Sequence, residues 1–257
     1  MPTQIEHAQA FAALHVRGNP LVLFNAWDAG SAAVIAKAGA KAIATGSWSV
    51  AMAHGFEDGE LLPLGLVLAN LARIVTVVDL PVTLDFEGAY ARESEQVGEN
   101  VATVISYGAI GINFEDGNVS DFGLHVLAEQ VQRLRAARHA CTQSGVPAFI
   151  NARTDLFLQS QRHDAVLVDQ AIERGLAYAE AGASGLFVPG LTDEALIARI
   201  CAAVPVPVNV MAHPSLPARE RLAAAGVARI SYGPQPYRLA MSAVDSAARA
   251  AFAGSAG

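Results

Sequence analysis

The sequence predicts a (β/α)8 barrel formed by residues 1–257 as one domain, and three observations lead to this prediction. Eight short apolar runs alternate along the chain with longer stretches that have helical periodicity. Strands that alternate with helices form a parallel sheet, and eight such units close the sheet into a barrel. The length of 257 residues matches the about 250 that are typical of this fold, and no shift in composition divides the chain.

Each strand is predicted from a short apolar run, as expected for strands that are buried on both faces. The runs are residues 21–26, 41–45, 81–84, 111–115, 148–153, 185–188, 207–211 and 229–232. The helices are predicted from apolar residues that recur with helical spacing. They cover residues 4–16, 30–38, 61–78, the apolar stripes at 97–105 and 127–141, then 164–181, 192–203, a short stretch after 217, and 236–252.

The composition excludes several classes of function. Hydrophobic residues make up 53% of the chain and charged residues 16%, which is enough for a large core and for contacts between subunits. A net charge of −7 argues against nucleic acid or an anionic membrane as a partner. Two cysteines form no disulfide framework and lack metal-ligand spacing, which predicts a reducing cytoplasm. No apolar run approaches the ~20 residues of a membrane span, and residues 1–18 contain no signal-peptide core.

Acidic residues follow two neighbouring strands of the predicted barrel. Asp85 and Glu87 are spaced i, i+2 at the end of one strand, so we expect both to point to the same side. Glu115 and Asp116 end the next strand. Carboxylates that converge repel one another unless a cation balances them, and oxygen ligands suit Mg²⁺ better than Zn²⁺. The alternative is that these acids cap the helices that follow.

Catalytic residues of a (β/α)8 barrel lie at the carboxyl ends of the strands, so the candidates can be taken from those positions. Arg153 ends the fifth strand, and a cation there is suited to binding an anionic substrate. Residues 46–48 form a predicted turn that offers backbone N–H groups and a hydroxyl to a carboxylate. A chelated anion held between this turn and Arg153 would be a 2-oxo acid or an enol derivative of one. The other strand-end candidates are Asn25, Trp27, Asp28, Thr45, Asp155, Pro189, Asn209, Met211, His213 and Tyr232.

Five segments in this order resemble the isocitrate lyase/phosphoenolpyruvate mutase superfamily. They are residues 25–32 (NAWDAGSA), 39–45 (GAKAIAT), 84–90 (LDFEGAY), 111–116 (GINFED) and 151–155 (NARTD), and the resemblance extends from about Leu21 to Tyr237. It implies a (β/α)8 barrel, a homotetramer or dimer, and a terminal helix that is exchanged between subunits.

The resemblance also implies roles for individual residues. It implies Mg²⁺ as the cofactor, with Asp85, Glu87 and Glu115 at the metal positions, some of them acting through bound water. It implies that Ser47 and Trp48 hold the substrate carboxylate, that Arg153 holds the substrate's oxygens, and that Asp58 is a loop acid that closes over the site. The predicted catalytic residues are Arg153, Asp58 and Glu115, and the predicted substrate-binding residues are Trp27, Ser47, Trp48, Asp85, Arg153 and Asn209.

Two departures from the superfamily pattern limit the reaction. Glu87 stands where many members have aspartate. The lyases carry a Lys-Lys/Arg-Cys-Gly-His segment after the fourth strand, whereas residues 117–125 here read GNVSDFGLH and contain no cysteine. We therefore expect no cleavage of isocitrate or methylisocitrate. The predicted function is a Mg²⁺-dependent lyase or decarboxylase for a small, oxaloacetate-like 2-oxo acid. The alternatives are a phosphoenolpyruvate- or phosphonate-type mutase or hydrolase, and a protein that binds a 2-oxo dicarboxylate without turning it over.

Overall fold

The computed structural model describes residues 2–118 and 123–253. The strands are β1 (Leu21–Leu23), β2 (Ile43–Ala44), β3 (Val82–Asp85), β4 (Gly111–Glu115), β5 (Gly117–Asn118), β6 (Gly123–Leu124), β7 (Phe149–Arg153), β8 (Gly185–Phe187), β9 (Val208–Met211) and β10 (Arg229–Ser231). The helices are α1 (Gln4–Ala13), α2 (Ala29–Lys37), α3 (Ser47–Ala53), α4 (Leu64–Val77), α5 (Ser94–Ser106), α6 (Leu127–Gln143), α7 (Ala165–Glu180), α8 (Glu194–Ala203), α9 (Arg219–Ala224) and α10 (Gln235–Phe252).

Eight of the strands form one parallel sheet in the order β1-β10-β9-β8-β7-β4-β3-β2. Its two edges meet beyond β1 and β2, where Ala26 and Thr45 form a parallel bridge. The Ala26 N–H donates to the Ala44 carbonyl at 2.8 Å, and the Gly46 N–H donates to the Ala26 carbonyl at 3.3 Å. The sheet is therefore nearly closed, and the predicted (β/α)8 barrel is confirmed.

The helices pack an apolar stripe onto the outside of the sheet, as the periodicity predicts. On α5, Val97, Val101 and Val104 are completely buried, and they repeat with helical spacing. β4 is buried along its whole length, because it is covered by helices on one side and by the barrel interior on the other. This packing fixes the positions of the strands, whereas the side chains at their carboxyl ends are not used in the packing and can form a site.

Helix α1 closes the end of the barrel opposite to those carboxyl ends. It begins in a capping box between Thr3 and Glu6. Phe11 is completely buried and contacts the edge of Phe149 at the start of β7, with 5.6 Å between ring centroids. His15 stacks on the same Phe149 ring at 4.0 Å. The amino-terminal end of the barrel is thus filled by aromatic packing.

The structure corrects several predicted boundaries. The segment from residue 46 was predicted as a turn, but it opens helix α3. The Ser47 N–H has no partner within the helix, and the carboxylate of Asp85 accepts it at 2.9 Å. Helix α4 begins three residues later than predicted, after Pro63. β1 ends at Leu23, and the antiparallel hairpin of β5 and β6 was not predicted. Across the described residues, none of the helices combines the length and apolarity that crossing a membrane requires.

Candidate active site

A cavity of about 180 Å³ lies at the carboxyl ends of the strands, as expected for a barrel enzyme. Its lining residues are Asn25, Gly46, Ser47, Trp48, Asp58, Asp85, Asn113, Arg153, Leu158, Phe187, Pro189, Met211, Ser231, Gly233 and Pro234. Five residues predicted for catalysis, substrate binding or metal binding are therefore brought together: Ser47, Trp48, Asp58, Asp85 and Arg153. The strand-end candidates Asn25, Pro189 and Met211 line the same cavity. The volume is below the range of ~300–1,000 Å³ that is usual for drug-sized ligands, so the cavity suits a small molecule.

Asp85 is fixed on one wall of this cavity by hydrogen bonds to both of its carboxylate oxygens. One oxygen accepts the Ser47 N–H at 2.9 Å, and the other accepts the side-chain amide of Asn113 at 3.0 Å. The Asp85 N–H donates to the Thr45 hydroxyl at 2.9 Å. The positive end of the α3 dipole also favours a carboxylate at this position. Asp85 thus presents a fixed negative charge to the cavity.

Arg153, at the end of β7, is the only basic side chain among the described residues that line the cavity. Its Nη1 lies 2.6 Å from Glu115 Oε2, and its Nε and Nη2 bind the two oxygens of Asp155 at 2.6 and 3.1 Å. Burial alone would lower the pKa of Arg153, but Glu115, Asp155 and Asp85 outweigh burial and raise it. The guanidinium is permanently charged and held on two sides, while it still faces the cavity.

A buried network behind the cavity holds Asp155 and therefore Arg153. Asp116 is completely buried, and its carboxylate accepts the Asp155 N–H at 2.9 Å. The same carboxylate accepts the Tyr178 hydroxyl at 2.6 Å and Arg174 Nη1 at 3.1 Å. Asp116 was expected to converge with the other acids. It points away from them because its neighbour Glu115 faces Arg153, and successive strand residues alternate sides.

Glu87 does not line this cavity, but it lines a smaller neighbouring pocket together with Asp85. β3 ends at Asp85, and Glu87 has a φ of 50°, so the strand alternation is lost between them. The Glu87 carboxylate accepts the N–H groups of Gly59 and Glu60 at 3.0 and 2.9 Å. In return, the Glu60 carboxylate accepts the Tyr90 N–H at 2.7 Å. We call these reciprocal bonds the Glu87–Glu60 clasp.

The clasp holds the loop that carries Asp58, which lines the cavity. Burial raises the pKa of Asp58 and the charge of Asp85 raises it further, while Arg153 and a hydrogen bond from Ser47 oppose the rise. Burial and the nearby Asp58 raise the pKa of Glu87 to about 7. A carboxyl group with a raised pKa at a reacting centre can exchange a proton near neutral pH.

The acids at this end of the barrel suit Mg²⁺ in their chemistry. Burial raises the pKa of Glu115, which Asp85 and Glu87 raise further against the opposing effect of Arg153. All of these groups are oxygen donors, and a hard cation would relieve their repulsion. Among residues 2–118 and 123–253, however, no three His, Cys, Asp or Glu side chains form a compact ligand group. Because Mg²⁺ keeps several waters and binds through one or two carboxylates, the residues fit Mg²⁺ without forming a closed cage.

Three residues predicted for catalysis or substrate binding, Trp27, Asn209 and Glu115, lie outside the lining. Trp27 contacts Tyr237 edge-on at 5.3 Å, and its carbonyl accepts the side-chain amide of Asn70 at 2.9 Å. Asn209 is buried one layer below, where its amide donates to the Ser231 hydroxyl at 3.1 Å. Trp48 does line the cavity, and its ring is covered by the guanidinium of Arg238 at 4.7 Å.

Sequence reasoning missed several lining residues. Asn113 stands two positions before Glu115 on β4, so the strand periodicity could have placed it on the same face. Leu158, Phe187 and Pro234 form part of an apolar wall, and an apolar residue after a strand carries no chemical signal of a site.

Comparison with known proteins shows that this chain is similar to a phosphomutase family, to lyases and to decarboxylases. The sequence profile of the family described as phosphoenolpyruvate phosphomutase matches residues 11–252. The 2-methylisocitrate lyase of Escherichia coli is 32% identical, over 78% of this chain and 68% of its own length. The oxaloacetate decarboxylase of Ectopseudomonas mendocina is 30% identical, over 74% of this chain and 64% of its own length.

Solved structures agree with the sequence relatives. A Burkholderia cenocepacia protein that is provisionally assigned as a phosphonomutase superposes on this structure with a TM-score of 0.94. It is 49% identical in sequence, and the match covers 96% of this chain and 99% of the other. The superfamily resemblance of the five sequence segments is thus confirmed.

Proposed function

Because this chain belongs to the phosphoenolpyruvate phosphomutase family, we propose that it is a Mg²⁺-dependent lyase that cleaves or decarboxylates a small 2-oxo acid. One observation carries this proposal: a fixed cation and a fixed carboxylate, Arg153 and Asp85, line the same small cavity at the strand ends. A 2-oxo acid has adjacent carboxylate and carbonyl oxygens, which can bind a cation on each side.

The residues around the cavity would have different roles in such a reaction. When the leaving group separates from the carbon beside the carbonyl, the electron pair of the broken bond forms an enolate with negative charge on the former carbonyl oxygen, and Arg153 would stabilise that charge. Ser47 and Trp48 would hold the substrate carboxylate at the start of α3. Asp58, with its raised pKa, would hold or deliver the proton that the missing cysteine cannot supply. Mg²⁺, held by Asp85 and through water by Glu115 and Glu87, would supply a Lewis acid for the same oxygens.

A second candidate function is phosphonate chemistry on the same scaffold. The specific observation in its favour is the 49% identity to the Burkholderia protein that is provisionally assigned as a phosphonomutase. Both functions use Arg153 and Asp85, so they are separated by the substrate that is turned over. Hydrolysis of phosphonopyruvate to phosphate, or conversion of phosphoenolpyruvate to phosphonopyruvate, would establish the second function in place of the first.

The proposal is tested by a turnover screen of 2-oxo acids with Mg²⁺ and with chelator. We expect one acid to lose a carbon–carbon bond only when Mg²⁺ is present, and Asp58→Asn to lower kcat at least about tenfold. Asp79→Asn, at a carboxylate that is 59% exposed, is the control that should leave turnover unchanged. Tight binding without turnover of any acid would instead indicate a sensor.

We also propose that the protein forms a homo-oligomer, specifically a tetramer, and that it works in a reducing cytoplasm. In α10, all of which the structure describes, Pro236 alone is buried. Leu239, Val244 and Phe252 are 63%, 59% and 89% exposed. An amphipathic helix with its apolar residues exposed supports the expected exchange of this helix with a second copy. Sedimentation of the full chain, compared with a variant that has charged residues at these positions, tests this proposal.

A further inference from the structure

Arg229 is a buried guanidinium inside the barrel, one layer below the cavity. It lies on β10 and is completely buried, and Ser231, two residues later on the same strand, lines the cavity. Its Nε donates to the Ser231 hydroxyl at 3.1 Å, and its Nη2 donates to the side-chain oxygen of Asn113 at 3.2 Å. Within the part of the chain that the structure describes, Nη1 has no hydrogen-bond partner, and no carboxylate forms an ion pair with Arg229.

The barrel interior disfavours the charge of Arg229. Burial lowers its pKa to about 9, although the charge of Asp85 opposes the fall. A buried cation with no direct acidic partner destabilises a protein, and an apolar side chain of similar volume would fill the same space. Filling the interior therefore does not account for an arginine at this position, whereas a role toward Asp85 would account for it.

Asn113 connects Arg229 to Asp85. Its side-chain oxygen accepts Arg229 Nη2 and also the side-chain amide of Asn151, the latter at 2.9 Å. Its side-chain nitrogen donates to the Asp85 carboxylate at 3.0 Å. An arginine can only donate hydrogen bonds, and an ionised carboxylate can only accept them. The two ends of this chain therefore fix the direction of the Asn113 amide, with its oxygen toward Arg229 and its nitrogen toward Asp85.

Asp85 has no cation of its own on the cavity side. None of the ion pairs among the described residues includes Asp85. Arg153 is the one basic side chain that the structure describes in the cavity lining, and it is paired with Glu115 and Asp155. The counter-charge of Asp85 therefore lies inside the barrel, at Arg229, on the other side of one amide group.

We propose that Arg229 is a positioning residue for Asp85: through the Asn113 amide it fixes the carboxylate in the orientation that binds Mg²⁺ and the 2-oxo acid group. This inference rests on the proposed function and deepens it, because it adds a residue that the cavity lining does not contain. Groups behind a metal-binding carboxylate set its orientation, and their loss typically lowers metal affinity by about 10–100-fold.

Mg²⁺-dependent binding of oxalate, measured by titration calorimetry of the whole protein, tests this role. Arg229→Met removes the guanidinium and keeps an extended side chain, and we expect it to weaken oxalate binding by at least about tenfold. Arg229→Lys keeps a charged donor and should bind oxalate more tightly than Arg229→Met. Arg138→Met is the control, because it removes hydrogen bonds to Gly182 and Ala148 at the opposite end of the strands and should leave the affinity unchanged. Unchanged affinity in Arg229→Met would overturn the inference.

The same exchange without the amide separates positioning from packing. In an Asn113→Ala background, Arg229→Met should weaken oxalate binding by less than about twofold, because the connection to Asp85 is already lost. An equal loss of affinity in both backgrounds would overturn the inference. If Arg229→Met does not fold, Arg229→Gln, which also removes the charge, takes its place in the same comparison.

Unfolding of the ligand-free protein separates this inference from the proposed function. If the unmodified protein does not bind oxalate with Mg²⁺, the proposed function fails, and urea unfolding then decides whether Arg229 and Asp85 interact. In the double variant of Arg229→Met and Asp85→Asn, the unfolding equilibrium constant should differ from the value expected for independent effects by at least about threefold. Independent effects of the two substitutions would overturn the inference.

Discussion

Replacing Arg153 distinguishes a catalytic arginine from one that only balances buried acids. Its guanidinium contacts Glu115 on one side and forms a bidentate pair with Asp155 on the other. Arg153→Met leaves both buried carboxylates without their cation, which should cost about 3–5 kcal/mol of unfolding free energy. Arg153→Lys keeps the charge but cannot form the two-sided contact, so we expect a smaller loss of roughly 1–3 kcal/mol.

Activity should respond differently from stability. If Arg153 stabilises charge that develops in the transition state, Arg153→Lys should lower kcat by about 10²-fold or more, with a smaller change in KM. The assay is steady-state kinetics on the best 2-oxo acid, paired with urea unfolding of the same samples. Arg138→Lys is the control, because Arg138 is also a part-buried arginine held by several hydrogen bonds, to Gly182, Ala148 and Ser184, but at the opposite end of the strands. Near-normal kcat for Arg153→Lys would refute the catalytic assignment.

Three further predictions concern the loop, the clasp and the closed end of the barrel. Isocitrate and methylisocitrate should not be cleaved, because the segment after β4 lacks the lyase cysteine; measurable glyoxylate from the first or pyruvate from the second would show that this interpretation is wrong. Residues 119–122 of that segment lie outside the described residues. Glu87→Gln should weaken the Glu87–Glu60 clasp, so that the Gly59 and Glu60 amides exchange hydrogen at least about tenfold faster; unchanged exchange would mean that the clasp does not hold the loop. His15 should make the protein less stable in acid. Burial and the charge of Arg229 lower its folded pKa to about 3, against an ordinary 6.5, so the unfolded chain binds more protons between these values. Stability is then fully present above pH 6.5 and falls, by up to ~1.4 kcal/mol per pH unit, as the pH drops toward 3; His15→Phe should flatten this dependence in urea titrations, and an unchanged slope would contradict the assignment.

The strand-end rule was sufficient to locate the polar wall of the cavity. Asp85 and Arg153 end their strands and Ser47 comes shortly after β2, so closure of the sheet brings all three into one cavity whatever the conformation of the loops. Strand periodicity alone does not place Glu87, because the backbone leaves the β region there with a φ of 50°; Glu87 nevertheless lines a small pocket together with Asp85 and lies outside the main cavity. No local sequence pattern predicts a positive φ at a glutamate. The backbone conformation of Glu87 is stabilised by the hydrogen bonds that its side chain accepts from Gly59 and Glu60, nearly thirty residues away in the chain.

The strand-end rule found only part of the apolar lining: Pro189 and Met211 were candidates, whereas Leu158 and Phe187 were not. Leu158 and Phe187 have the composition of ordinary core residues, and only the way the barrel closes decides that they face a cavity. Asn209 shows the opposite case. It is a polar residue on a strand, but it faces the barrel interior and bonds to Ser231 below the site. Residue type marks candidates for chemistry, whereas the register of the sheet decides which of them reach the ligand.

The central claim is that Asp85 and its neighbours bind a 2-oxo acid group together with Mg²⁺, and oxalate titration tests it most directly. Calorimetry of the whole protein should show oxalate binding that requires Mg²⁺ and disappears with chelator. Asp85→Ala should abolish this binding without unfolding the protein, whereas Asp79→Ala, at an exposed carboxylate, should retain it. Oxalate binding of unchanged affinity in Asp85→Ala, or with chelator present, would contradict the claim.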